Sequence, residues 1–466
     1  MSGSSGDKGI IAYGAYLPRH RVRLSDVSAV LGISAGKGVR VVASFDEDST
    51  TMAVAAAQAA LAGGAVPKAL YLATTSPAYA DKANATAVHA ALDLPDEVFA
   101  ADVAGSARSA IAALRVAART DGLAALADVR TGRPGSPDER GGGDGAAAFV
   151  FGDVSDAVAL LIAESSSTAE FLDRWRDPAA QSGGQWEERF GLEQYLPLIT
   201  RVAATALRDA DIDCADHVVL VSPNTGVTKR AGKALTGRLS TTTSPIGHAG
   251  AADVGLALAD VLDRAGAGET VLVVSAADGC DAFVLRTTDR ISEGRQPVSV
   301  ADQLAAGTEV GYGTYLSWRG ILDRESPRRP EPDRAAAPPS ARATRWKFAF
   351  TGTRCTHCAF VHLPPAPVCK RCHVTDGMTA LSMAHSKGTV ATFTVDRLAY
   401  SPGPPVVAAV IDFDGGGRYT LEIADTAAEG LAVGSRVQPT FRKLNTAGGV
   451  HNYFWKARLL PNGEQA

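Results

Sequence analysis

Over roughly the first 290 residues, short apolar runs alternate with longer Ala-rich stretches. The runs Ala69–Thr74, Val98–Val103, Ala146–Phe151, Val158–Ala163, Val218–Val221, Val271–Ser275 and Ala282–Arg286 are strand-length and nearly continuous in Val, Leu, Ile and Ala, as strands buried on both faces are. Between them, Thr51–Ala62, Ala107–Ala118, Leu198–Asp209 and Ala251–Arg264 read as helices. Such alternation predicts a layered α/β fold. The Gly-, Pro-, Arg- and Asp-rich stretch Arg130–Gly145 is expected on the surface. Ile291–Leu322 follows no clear period, and Ser326–Arg342, rich in Pro, Ala and Arg, reads as a linker. Beyond it, Gly388–Val395, Val406–Phe413, Tyr419–Ile423 and Val437–Arg442 are spaced as strands of a small barrel.

A length of 466 residues calls for two or three domains. Hydrophobic residues at 46% and charged ones at 21% suit a soluble globular chain. The net charge of -4, with Arg and Lys scattered, gives no field that would attract nucleic acid. Met1–Lys8 lacks the apolar core of a signal peptide, and the apolar runs are too short to span a bilayer. A cytoplasmic protein with neither a membrane nor a nucleic-acid partner is expected.

Cysteine usage sharpens this. Four of the six cysteines fall in two pairs, Cys355–Cys358 and Cys369–Cys372, while Cys214 and Cys280 stand alone. Two intervening residues let one tight turn present both thiolates to a tetrahedral metal. The pattern predicts a closed four-cysteine zinc site of structural type, with no open position for a catalytic water. A pair of redox dithiols is the alternative.

The run from Cys355 through Cys372, with Lys387–Val395 and Pro402–Val406 after it, is similar to a rubredoxin-like zinc-ribbon/OB-fold family. The resemblance implies a partner role beside thiolases or hydroxymethylglutaryl-CoA synthases. An OB barrel alone also admits nucleic acid, but its strands carry few basic residues interleaved with aromatics. Gly9–Pro18, Asp46–Met52, Gly143–Ala147, Phe171–Arg176 and Asp281–Phe283 resemble, in order, segments of the hydroxymethylglutaryl-CoA synthase branch of the thiolase superfamily. That resemblance implies a five-layered αβαβα fold of two pseudo-repeated halves, here residues 9–165 and 166–325. A linker (326–345), a zinc ribbon (346–380) and an OB-type β-barrel (381–466) would follow. It also implies a CoA thioester substrate, a homodimer, and a possible thiolase-like or acyl-carrier partner protein.

The family works with a Cys nucleophile at a helix opening, a Glu and a His. In this sequence the matching positions hold Ala107, Thr75 and Val221. If the first match is shifted by one, Ser106 takes the nucleophile's place. Where the family has Gly-Asn before a helix, Ser244–Gly250 supplies Gly247-His248. A histidine there can donate to an oxyanion or move a proton, or be merely a loop histidine bonded to backbone. Ser106 and Ser109 could bring a hydroxyl to the site or cap the helix. Asn224 is a further polar candidate. Arg108 could meet a carboxyl or phosphate, or sit in an ion network. Lys229 and Arg230 could reach CoA phosphates, or form a solvated helix face. Tyr79, Glu187 and Glu188 are other candidates for acid or base.

Three functions follow. The first is a cysteine-free acyl-CoA carbon–carbon lyase of the retro-aldol or retro-Claisen type, as in thiolase-like aldolases of steroid side-chain breakdown, with His248 as its central group. The second is an acyltransferase or condensing synthase that acylates Ser106, which requires a base beside that serine. The third is a non-catalytic CoA-binding scaffold.

Overall fold

The computed structural model describes residues 8–232, 235, 238–240, 246–325 and 327–460. They form two compact units. The first comprises the chain up to Ala43, Asp48–Thr86 and Pro95–Tyr315, and the second Ser44–Glu47, Ala87–Leu94 and the chain from Leu316.

In the first unit a ten-stranded sheet runs Arg238–Ser240, His217–Val221, Thr270–Ser275, Gly279–Thr287, Ala159–Thr168, Lys8–Tyr16, Gly145–Asp153, Leu123–Asp128, Ala69–Thr74, Phe99–Ala104. The order is a duplication. Ala69–Thr74 is parallel to both Phe99–Ala104 and Leu123–Asp128, and His217–Val221 is parallel to both Arg238–Ser240 and Thr270–Ser275. In each half two antiparallel pairings then lead to the strand at the seam. The halves meet at Gly9↔Leu160 and Ile10↔Ala159.

Helices complete the layers. Ser49–Ala60 packs on the first half's strands, and Glu188–Asp209 on those of the second. Between the halves lie Ser109–Thr120 and Asp253–Arg264, which share one core with strands of both, including Phe149, Leu126, Val219 and Val273. Small residues on the first of these, Ala110, Ala113 and Ala117, are fully buried, so the close packing expected of an Ala-rich helix is met. The alternating pattern predicts this layered α/β fold, and the resemblance implies its two-halved αβαβα arrangement.

Several details differ from the sequence reading. Leu123–Asp128, unassigned there, is a strand with all six residues buried. The helix expected from Leu198 begins at Glu188 and carries Pro197 inside it. Proline removes one helical hydrogen bond, but the apolar face of Leu192, Tyr195, Ile199 and Val202 is buried throughout and outweighs it. The Arg130–Gly145 stretch is at the surface only in part: Arg133, Pro134 and Pro137 are exposed, but Pro137–Gly141 is a short helix and Gly142–Gly145 is buried. Glu139 and Asp144 are fully buried, and their carboxylates accept the Tyr312 hydroxyl (2.9 Å) and the Ala43 and Arg130 N–H groups (both 2.7 Å). Internal partners replace the solvent that so polar a stretch otherwise needs.

In the second unit the ribbon strands Thr351–Cys355, Val361–His362 and Met378–Ser382 form one sheet. A five-stranded sheet runs Arg418–Glu422, Val406–Phe413, Gly388–Asp396, Arg436–Ala447, Val450–Leu459. The Ile423↔Ala457 bridge and the Ala424 N–H to Ala457 carbonyl bond (2.8 Å) join its two edges into a barrel. Phe350 of the ribbon stacks on Trp455 of the barrel, and the Trp455 indole N–H donates to the Phe348 carbonyl at 2.8 Å. Inside this unit Arg442, fully buried, meets Asp425 at 2.7 Å and Glu47 at 3.2 Å. Lys456 meets Glu422 at 2.8 Å and Asp46 at 3.0 Å. No helix among the described residues is long and apolar enough to cross a membrane.

Candidate functional site

The openings of the two central helices face one small pocket lined by Ala107, Val221, Ser222, Pro223, His248, Gly250, Val254, Ser275 and Ala277. Ala107 and Val221 thus line the same space as His248. Helix N-termini carry partial positive charge, and two 12-residue helices begin here.

His248 is held from three sides. Its backbone N–H donates to the Gly141 carbonyl at 2.7 Å, and its carbonyl accepts from Gly143 at 3.2 Å. The ring Nδ1 lies 2.7 Å from Asp253 Oδ2, while Asp253 Oδ1 accepts the Ala249 N–H at 3.1 Å. Both carboxylate oxygens are therefore used, in a group only 4% exposed at the side chain. With Nδ1 facing a carboxylate, the proton sits on Nδ1 and Nε2 is the basic nitrogen. Among the described residues Nε2 has no hydrogen-bond partner. Gly247 and Gly250 make this loop possible. At φ +88° and +57°, added Cβ atoms would lie 2.1 Å from the Gly142 carbonyl oxygen and 1.9 Å from Asp128 Oδ2.

The other candidates fall in different places. Ser106 Oγ accepts the Arg108 N–H at 3.2 Å in the turn before the helix, whose N-cap has no side-chain bond, and Ser106 is not among the pocket residues. Ser109 is buried in the first turn of its helix. Asn224 caps Thr225–Ala231: its side chain accepts from Gly226 N–H (3.1 Å) and donates to the Glu188 carbonyl (3.1 Å). Arg108 is taken up by Asp281 (2.8 Å), the Asp278 carbonyl (2.8 Å) and Ser166. Lys229 and Arg230 are exposed in the last turn of their short helix, and Glu187 and Glu188 are exposed as well. Ser244 and Pro245 lie outside the described residues. Of the lone cysteines, Cys214 is exposed, whereas burial and the adjacent Asp281 push the Cys280 thiol up to about 12, so it stays protonated.

Sequence reasoning missed Asp253, Ser222 and Ser275, and it missed a group of arginines around Thr75. Asp128 is fully buried and accepts from Thr74 Oγ1, Thr75 N and Oγ1, Ser76 N and Oγ, and Ala251 N at 2.6–3.0 Å. The Thr75 hydroxyl also receives Arg130 Nη1 at 3.0 Å, and the Thr75 carbonyl receives the Arg176 guanidinium. Arg174 pairs with Asp138 at 2.6 Å and reaches the Pro223 carbonyl at 3.4 Å. Burial lowers the Arg130 pKa, and Arg174 and Arg176 add to this against the pull of Asp128 and Asp138.

In the second unit the four predicted zinc ligands do converge. The Sγ atoms of Cys355, Cys358, Cys369 and Cys372 all lie within 4.8 Å of one another. The N–H groups of Arg371 and Cys372 point at Cys369 Sγ (3.4 and 3.5 Å), and His362 Nε2 accepts the Lys370 N–H at 3.0 Å. N–H donors stabilise thiolate charge, so the donor set fits zinc.

Comparison with known proteins agrees with both units. Residues 348–376 match the family described as the rubredoxin-like zinc ribbon domain of ChsH2, and residues 383–442 match the C-terminal OB-fold domain of ChsH2. The chain is 32% identical over 346 residues to the hydroxymethylglutaryl-CoA synthase of Methanopyrus kandleri, covering 67% of this chain and 97% of that one. To the enzyme of the same name from Archaeoglobus fulgidus it is 30% identical over 341 residues, with 67% and 98% covered. Among solved structures, an HMG-CoA synthase complexed with CoA superposes with a TM-score of 0.60 at 18% identity, over 69% of this chain and 91% of that one. The 3-oxoacyl-(acyl carrier protein) synthase III of Pseudomonas aeruginosa does so with 0.55 at 20% identity, over 60% and 98%. Over its N-terminal two thirds the chain belongs to the hydroxymethylglutaryl-CoA synthase family, and it continues into zinc-ribbon and OB-fold domains of the ChsH2 type.

Proposed function

We propose that this pocket cleaves or forms a carbon–carbon bond of a CoA thioester without a covalent acyl-enzyme, as a retro-aldol lyase. The observation that carries the reading is the His248–Asp253 pair set opposite the Ala107 methyl group in one pocket. In a β-hydroxyacyl-CoA, His248 Nε2 takes the hydroxyl proton and the C–O pair becomes a carbonyl. The Cα–Cβ bond then breaks, and its electrons pass into the thioester enolate. The two helix N-termini stabilise the enolate oxygen. The imidazolium, balanced by Asp253, returns the proton to the α-carbon, so nothing is oxidised or reduced. Run backwards, the same steps make the bond.

The serine reading requires a base beside Ser106, and no bond between Ser106 and His248 appears among the described residues. CoA as ligand is supported by the CoA-bound relative. An acyl-carrier protein as alternative donor is supported by the curacin-pathway HMG synthase solved with holo donor-ACP. A zinc ion held by the four cysteines has a structural role. A homodimer in the cytoplasm completes the proposal by analogy.

The test pairs intact-protein mass with turnover. Brief incubation with short acyl-CoAs should leave the mass unchanged. A panel of branched and linear β-hydroxyacyl-CoAs should release a shorter acyl-CoA and a carbonyl product, and His248→Ala should abolish that release. A stable acyl adduct that disappears in Ser106→Ala would overturn the lyase in favour of the serine transferase. CoA binding with no turnover and no adduct would leave a scaffold.

A further inference from the structure

We infer that the Ser275 hydroxyl donates to the oxygen on the β-carbon of the acyl group, and so selects acyl thioesters oxygenated at that carbon. The inference rests on the reading of the pocket as an acyl-CoA lyase site. Ser275 ends the strand Thr270–Ser275 and is paired in register with Val221, which ends His217–Val221. Side chains alternate between the two faces along a strand. Val271 and Val273 belong to the core shared with the central helices, whereas Leu272 and Val274 belong to the core built with Glu188–Asp209. Ser275 continues the first series, so its side chain stands on the face toward the central helices, and it lines the pocket with His248 and Gly250. It is 5% exposed, and among the described residues its hydroxyl has no hydrogen-bond partner. A buried hydroxyl left unpaired is costly unless a ligand supplies the partner.

The pocket's composition narrows what that hydroxyl can meet. Of the nine lining residues, only His248, Ser222 and Ser275 bear a side-chain hydrogen-bonding group. Ser222 lies past the end of its strand, and its oxygen accepts the Asn224 N–H at 3.2 Å. The helix openings at Ala107 and Gly250 provide for the thioester oxygen. The β-oxygen gives its proton to His248 Nε2, and it needs a donor as well, because it gains charge as that proton leaves and ends as a carbonyl. A serine hydroxyl with its proton and both lone pairs free serves the alcohol, the developing charge and the carbonyl in turn. An acyl chain without a β-oxygen leaves the same hydroxyl buried and unmatched, which is how a site built to hydrogen-bond a substrate rejects the analogue lacking that group. Ser275 also stands beside Val221, the position matched to the family's histidine. The polar group of this wall has therefore passed from one strand end to its neighbour.

The experiment is calorimetric binding of CoA, butanoyl-CoA and 3-oxobutanoyl-CoA to the full chain, to Ser275→Ala and to Ser275→Cys. The two thioesters are equal in chain length, and neither has a hydroxyl for His248 to deprotonate. The unaltered protein should bind 3-oxobutanoyl-CoA about fivefold more tightly than butanoyl-CoA, as one neutral hydrogen bond allows. Ser275→Ala should erase that preference and leave the affinities for CoA and butanoyl-CoA unchanged. Ser275→Cys, similar in shape and a weaker donor, should fall between. With the β-hydroxyacyl-CoA that is cleaved fastest, Ser275→Ala should lower kcat about tenfold and raise KM less, since the bond strengthens as charge develops. A thermal melt should show both variants folded. Equal binding of the two thioesters by the unaltered protein would overturn the inference, and so would a preference that survives in Ser275→Ala. A preference lost in that variant, in a protein that cleaves no β-hydroxyacyl-CoA, would uphold recognition of the β-oxygen while the lyase reading failed. If none of the three ligands binds, both readings fail.

Discussion

Replacing Asp253 by Asn tests the catalytic reading with almost no change in shape. In the native site Asp253 Oδ1 accepts the Ala249 N–H at 3.1 Å and Oδ2 faces His248 Nδ1 at 2.7 Å. An asparagine has one acceptor and one donor to offer these two donors. If its oxygen keeps the Ala249 N–H, its amide group faces Nδ1, which must then become the acceptor. The ring proton moves to Nε2 and the base is lost. If the amide flips, the correct tautomer survives but the buried Ala249 N–H meets another donor, at about 1–3 kcal/mol. That difference leaves roughly one molecule in ten to one in a hundred with a basic Nε2. Loss of the carboxylate's charge-assisted bond to the imidazolium costs a further ~1.5–3 kcal/mol in the transition state. Together they predict a fall in kcat of about 10²- to 10⁴-fold, with KM little changed, for the β-hydroxyacyl-CoA that the unaltered enzyme cleaves fastest. Adding His248→Ala to Asp253→Asn should produce no further loss beyond His248→Ala alone, since the two residues act as a unit. Circular dichroism and a thermal melt should show both variants folded. A kcat for Asp253→Asn within threefold of the original would refute the assigned tautomer and with it the role of Nε2 as base.

Two further predictions concern the second unit. Arg442→Met strands the buried Asp425 and Glu47, and should destabilise this unit by about 3–5 kcal/mol in a denaturant titration; a loss below 1 kcal/mol would contradict it. Asp46 is desolvated, yet Lys456 and Arg442 hold its pKa below the ordinary carboxylate value. Its stabilising contribution is therefore full above the unfolded value near 4 and is lost as pH falls through the lower folded value. Acid melts should show the midpoint dropping below about pH 4, less steeply in Asp46→Asn. Finally, elemental analysis should find zinc bound by the four cysteines, and a strong chelator or Cys369→Ser should lower the melting temperature of the ribbon and barrel. Unchanged melting after complete zinc removal would count against a structural role for the metal.

The parts of the architecture that were legible from sequence are those whose signal is local. Two Cys-x2-Cys turns state their own geometry, and buried strands of Val and Leu announce themselves. Leu123–Asp128 did not, because its Ala-Ala-Leu-Ala composition suits a helix equally well. What divides it from the preceding helix is Asp121 at φ 50° followed by Gly122. The last hairpin turns at Gly448-Gly449, both at positive φ, a signal available in the sequence but passed over. In the site, His248 could be found because a resemblance fixed its position. Asp253 lies five residues on, at the first position of a helix, where an acid is usually no more than a dipole partner. The arginines were illegible for another reason. Arg174 and Arg176 stand two residues apart in one segment, but Arg130 comes from another and joins them only through the tertiary fold.

The doubled strand order also bears on how such a chemistry could change during descent. One copy lends the pocket the opening at Ala107 and the other the opening at Gly250, so a substitution at the first leaves the His248–Asp253 pair on the second intact. A covalent step can then be shed on one side of the seam while proton transfer persists on the other, with no core residue exchanged. Inheritance of two interchangeable doorways gives this scaffold room to drift between reaction types by single side-chain changes at their thresholds.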